Sequence, residues 1–154
     1  MGKENGHCTA SNLEYPVSSH SSVVSSLGVI TCGGHDGKSR LKKCTLQKRD
    51  GETKMLPSMI RPRSAFGMVV INQTLIVVGG NGAFNKMETI NLQSGQWNEV
   101  DLPFTVGYHC VVSINDTMIL SIGGYDEKDN VSYPLLHGGQ MCQIRLNAFY
   151  FNFE

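Results

Sequence analysis

The apolar residues of this chain gather in short unbroken runs, each stopped by glycine. Leu75 to Val78 run straight into Gly79-Gly80, and the same event closes LGVITC at Gly33-Gly34 and MILSI at Gly123-Gly124. Runs of this length, rich in Val and Ile and bounded by turn residues, are the pattern of strands covered on both faces. Each has a partner upstream: SSVV at 21 to 24, FGMVVI at 66 to 71 and HCVVSI at 109 to 114, joined through the polar turns SS, NQT and NDT. Three hairpins are therefore predicted.

The hairpins recur at a fixed step. The first glycine of each doublet falls at 33, 79 and 123, steps of 46 and 44. Turn glycines at Gly6, Gly51, Gly95 and Gly139 keep steps of 45, 44 and 44. A third element aligns as well, LKKCTL at 41 to 46, METINL at 87 to 92 and VSYPLL at 131 to 136. Four strands in each period of about 45 residues predict a stack of small sheets, each covered by its neighbours. The doublets then mark crowded strand ends, where a Cβ would collide or φ must turn positive.

On these residues the chain resembles the Kelch repeat family, whose units form four-stranded propeller blades with a glycine doublet. RPRSAFGMVVINQTLIVVGGNG followed by METINLQSGQWNEVDLP is the best copy, with Pro62-Arg63 before the first strand, Gly79-Gly80 after the second and Trp97 in the fourth. Elsewhere the copies are degenerate: Cys44, Ile90 and Pro134 stand at the family's tyrosine, and Cys8, Thr53 and Met141 at its tryptophan. The resemblance implies an all-β fold of Kelch-type β-propeller blades, each a four-stranded antiparallel sheet, in an incomplete ring of about three. The expected divisions are the end of a preceding blade at 1–15, blades at 16–56, 57–101 and 102–146, and a further strand or tail at 147–154. Pro134 cannot donate to a ladder, so the third strand of the last blade is expected to be irregular or absent. Propellers close with four to eight blades, so three imply a fragment of a longer protein, a pair of copies closing a ring, or an open arc. The start inside a unit favours the fragment.

Composition narrows the function classes. Lys plus Arg (13) equals Asp plus Glu (13), so the overall balance carries no footprint for nucleic acid or an anionic membrane. No window approaches the ~20 apolar residues of a membrane span. The five cysteines show no CxxC pair and no zinc spacing. They read either as small buried hydrophobes or, for Cys32 and Cys44 on either side of a loop, as a disulfide in an oxidising compartment. The CGG…C pattern resembles secreted Kelch proteins, which implies extracellular placement for a fragment of one. The chain by itself leans to the cytoplasm. Asn72, Asn115 and Asn130 each head an Asn-x-Thr/Ser triplet in a predicted turn.

For chemistry, the resemblance places ligands at the loops that open beside the doublets. On this chain that face carries His35, Arg40, Arg61, Arg63, Asn81, Asn85, Tyr108, Tyr125 and Asp126, a basic, amide and aromatic mixture suited to a protein or peptide. Gly33, Gly34, Gly79, Gly80, Gly123, Gly124 and Trp97 are structural markers, and Arg63 also fits a structural role beside its blade. The family includes galactose oxidase-like and sialate epimerase-like enzymes, but the five histidines are scattered and His109 alternates with Cys110 across a strand. No GxSxG, HExxH or phosphate loop is present. The expectation is a non-catalytic protein-interaction module without cofactor or metal, possible substrate recognition included, and self-association as a way to complete the ring. A piece of a secreted Kelch enzyme or glycan-binding protein is the alternative.

Overall fold

A computed structural model describes residues 16–126 and 131–133, and the segments expected at 1–15 and 147–154 lie outside it. The fold is all-β. β1 (Ser21–Ser25), β2 (Gly28–Cys32), β3 (Cys44–Gln47) and β4 (Thr53–Leu56) form one antiparallel meander. β5 (Gly67–Ile71), β6 (Thr74–Val78), β7 (Lys86–Asn91) and β8 (Trp97–Asp101) form a second with the same order. β9 (Cys110–Asn115) pairs with β10 (Met118–Ile122), beginning a third.

The unbroken apolar runs follow from alternation between two neighbours. Successive side chains of a strand point to opposite faces. In β6, Leu75 and Val77 join Ile30, Cys32, Leu46, Phe66 and Met68 in the core between the first and second sheets. Ile76 and Val78 join Val69, Val106, Val111 and Ile119 in the core between the second and third. All four are essentially inaccessible to water, and each such side chain contributes roughly 1.5–3 kcal/mol. A strand facing solvent on one side would have read apolar, polar, apolar, polar.

The glycine doublet is where consecutive sheets touch by backbone. A Cβ on Gly79 would lie 2.1 Å from the carbonyl oxygen of Val106, and one on Gly33 2.6 Å from that of Arg63, each in the next sheet's leading segment. The second glycine meets its own leading segment instead: a Cβ on Gly80 would stand 2.8 Å from the oxygen of Ser64, and one on Gly34 2.7 Å from that of Ser18. The approach is this close because the Gly34 and Gly80 N–H groups donate to the oxygens of Arg63 and Val106 at 2.9 and 2.8 Å.

Several details depart from the sequence reading. Leu27, expected in the second strand, sits in the β1–β2 turn, 49% exposed. Residues 41–43 precede β3 and dock on the next leading segment, where Met59 N–H donates to Lys42 O at 2.9 Å and Arg63 N–H to Leu41 O at 3.1 Å. In the third unit, β11 (Gly124–Asp126) and β12 (Val131–Tyr133) pair with each other, whereas the third strands of the first two units pair with the second strands. The strand beside Pro134 is present but three residues long. Two outer faces also lack the double cover of β6. Val24, Val29 and Met55 of the first sheet and Val112 and Ile114 of β9 stay largely exposed.

Candidate functional site

The leading segments and doublet loops meet at one end of the stack. Short bridges tie Ser18 to His35, Ser64 to Asn81 and Gly107 to Tyr125, so those three outer residues hold one position in three successive repeats. Just after each bridge, a non-glycine residue adopts left-handed backbone: Ser19 (φ 52°), Ala65 (φ 53°) and Tyr108 (φ 57°). Such conformations persist only where surrounding contacts hold them. Here the contacts run from sheet to sheet, as Ala65 N–H donates to Ser19 O at 2.8 Å and Tyr108 N–H to Ala65 O at 2.7 Å.

On this frame Asn81 and Tyr108 come together. Asn81 Nδ2 donates to Tyr108 Oη at 2.7 Å, while Tyr125 pairs its backbone with Gly107, next to Tyr108. Tyr108 is 58% exposed, unusual for a tyrosine held so firmly by its backbone. Arg40 is exposed and its Cδ lies beside Gly82, bringing a cation from the first loop to the second. His35 bridges both Ser18 and Arg40, and its Nδ1 accepts from Gly37 N–H at 3.0 Å. Asn85 is exposed at the far side of its loop, its carbonyl accepting from Leu102 N–H at 2.8 Å. The backbone of Asp126 ends β11.

Two arginines leave this group. Arg63 is not a ligand-binding residue on this structure, because it is 0% exposed. Its Nη1 donates to the carbonyl oxygens of Gly79 (2.8 Å) and Lys86 (3.1 Å), and its Nη2 pairs with Glu88, also 0% exposed. Glu88 in turn accepts from Ile60 N–H (2.7 Å) and Arg61 N–H (3.1 Å). Burial holds the Arg63 guanidinium below its usual value, opposed by the Glu88 charge. Arg61 turns to Glu99, with Nη2 3.0 Å from Oε1, and this pairing draws the Glu99 carboxyl down. Lys86 completes the chain to Glu99 and Asp101. Glu88 escaped the sequence reading, although an acid inside the apolar stretch METI was a usable signal.

Trp97 packs half-buried against the first core and donates its indole N–H to Pro57 O at 2.9 Å, tying β8 to the link between the first two sheets. Cys32 and Cys44 are joined by a disulfide across the paired strands β2 and β3. Cys110 carries an exposed free thiol. Burial as a small hydrophobe is one expectation for the cysteines. It fails for Cys110 because the face of β9 turned away from the second sheet is uncovered.

The first strands β1, β5 and β9 surround a cavity of about 480 Å³, whose wall includes Ser22, Met68, His109 and Val111. His109 is the one imidazole there, and neither ring nitrogen finds a hydrogen-bond partner among the described residues. Burial pushes it down to about 4, so it is neutral at physiological pH. No group of three or more His, Cys, Asp or Glu side chains placed to hold a metal occurs among the described residues. Among the described residues no helix is long and apolar enough to cross a membrane.

No family model matches the chain, and no curated protein does. Among solved structures it is similar to that of YjhT, with a TM-score of 0.61 over 75% of this chain at 19% identity. The match covers 36% of that chain, so the present chain spans little more than a third of the neighbour's length. At this identity the likeness is one of fold: a repeated, propeller-like array of antiparallel sheets.

Proposed function

We propose that the chain is a run of degenerate Kelch-type repeats serving as a non-catalytic protein-interaction module, with the doublet-loop end as the docking face. One observation carries the reading: Asn81 and Tyr108 meet, with Tyr125 bridged to the adjoining Gly107, on a backbone frame held left-handed at three successive repeats. An exposed aromatic and an amide on a rigid base are what a peptide hot spot needs, because little entropy is lost when they engage. Arg40 adds a charge at the margin of the same surface. The alternative, a piece of a secreted Kelch enzyme or glycan-binding protein, draws support from the Cys32–Cys44 bridge.

The test is selection of peptides from a display library on the full chain, followed by affinities for Tyr108→Asn and Asn81→Ala. Asparagine tolerates the left-handed backbone, so the first change removes the ring with the least strain. Selected peptides should lose at least about tenfold in affinity, roughly 1.4 kcal/mol, on either variant. Peptides that bind both variants as tightly as the parent would sink the proposal. Self-association through the exposed faces of the first sheet and β9 belongs to the same reading. Its signature is a native mass of twice the chain's 16.9 kDa, and a monomer at micromolar concentration removes it.

A further inference from the structure

Two Asn-x-Thr triplets fall at the same point of successive repeats. Asn72-Gln73-Thr74 turns β5 into β6, Asn115-Asp116-Thr117 turns β9 into β10, and the two asparagines are 43 residues apart, one repeat. Both asparagines are exposed. Asn72 and Gln73 have φ of 46° and 65°, the pair of positive values that a tight two-residue hairpin turn requires. The Asn72 amide nitrogen reaches only the Asp116 oxygen at 3.5 Å, at the limit of hydrogen bonding, which also sets the two turns side by side. At Asn115, the amide oxygen accepts from Thr117 N–H (2.9 Å) and Thr117 Oγ1 (3.1 Å). Its nitrogen has no partner among the described residues.

The strand register puts these turns at the opposite end of the sheets from the doublets, since Gly67 faces Val78 while Ile71 faces Thr74. Independently, the Cys32–Cys44 bridge belongs to an oxidising compartment, the setting in which asparagine is glycosylated. We propose that Asn72 and Asn115 are N-glycosylation sites, which would place glycans at the end of the stack away from the doublets. The donor is an oligosaccharide on a lipid pyrophosphate, supplied with a membrane-bound transferase. The asparagine nitrogen bonds to the anomeric carbon as the glycosyl–oxygen bond breaks. The lipid pyrophosphate departs with that electron pair, and one amide proton passes to a base of the transferase. Both acceptor residues are exposed, as this needs.

The proposal stands apart from the protein-interaction reading. Its test is to secrete the full chain from eukaryotic cells behind a secretion signal and map Asn72 and Asn115 by mass spectrometry before and after peptide-N-glycosidase. Glycan is expected at both, with Asn72→Gln, Asn115→Gln and Thr117→Ala each removing one glycan. Mapping of the parent chain keeps the test decisive if a variant fails to fold. It also separates these sites from Asn130. Unmodified asparagine at either position in secreted protein with its disulfide formed overturns the proposal.

Discussion

Replacing Arg63 with methionine should be among the most damaging single changes in this chain. The side chain is wholly buried and anchors three acceptors: the carbonyl oxygens of Gly79 and Lys86 and the carboxylate of Glu88. Methionine fills much of the volume but donates nothing. Glu88 would then keep only the Ile60 and Arg61 amides, a buried charge without its counter-charge. Removing one partner of a buried pair costs about 3–5 kcal/mol, against a total of about 5–15 kcal/mol for a domain of this kind. Neutralising the survivor should recover part of the loss. Arg63→Met/Glu88→Gln removes the stranded charge and keeps an amide oxygen for one of the two N–H groups. Trp97, the single tryptophan, packs against the adjoining core and reports unfolding by its fluorescence in a urea titration. Two results would refute the reasoning: a loss below about 1 kcal/mol for Arg63→Met, or a double variant no more stable than the single one.

The other predictions follow the same geometry. Gly79→Ala should cost about 2–4 kcal/mol, since its Cβ would strike the Val106 oxygen, while Gly37→Ala, also at positive φ but in open space, should cost about 1–2 kcal/mol. Equal losses would show that the doublet answers only to backbone conformation. Neutral, buried His109 predicts a pH dependence whose sign is set by its lowered value. Below the unfolded value of 6.5 the unfolded chain takes up a proton that the folded chain refuses. Stability should therefore be flat above that pH and fall by up to about 3 kcal/mol as pH drops toward 4. Urea midpoints at stepped pH check this, and a slope unchanged in His109→Gln would rule His109 out as its source.

The fold was largely legible because the signal is additive over repeats. One glycine doublet says little, but three in step with two other markers leave few arrangements other than stacked four-stranded sheets. Legibility ended where a residue's fate depends on its neighbour across the stack. Arg63 and Arg61 look alike in sequence, two residues apart in one segment. The first is swallowed between sheets because Glu88 projects toward it, and the second lies over β8 against Glu99. Local sequence held neither pairing. Cys32 and Cys44 could be read as core or as a bridge, and only their facing positions on β2 and β3 decide between them. The third unit departs from the repeat among the described residues. The short β11–β12 hairpin replaces the ladder that repeat spacing alone would extend from β10.

Charge is distributed unevenly in a way the overall balance conceals. Between residues 57 and 101 three cations, Arg61, Arg63 and Lys86, meet three anions, Glu88, Glu99 and Asp101, and every one is engaged with another of the set. Between residues 16 and 56 seven cations stand against three anions. There Lys38, Arg40 and Lys42 are exposed and form no ion pair among the described residues, while Asp36 is occupied by the backbone amides of Lys38 and Ser39. Those amides hold the Asp36 carboxyl below its ordinary value, so it stays an anion bound to its own turn rather than to a lysine. The second unit has used its charges to build itself, while the first pairs Lys48 with Glu52 and leaves Lys38, Arg40 and Lys42 in solvent. A partner approaching the doublet-loop end would meet unneutralised cations over the first loop and neutral amides and phenols over the next. Polarity across that surface would orient a ligand before any contact formed, and added salt should slow association while leaving dissociation nearly unchanged.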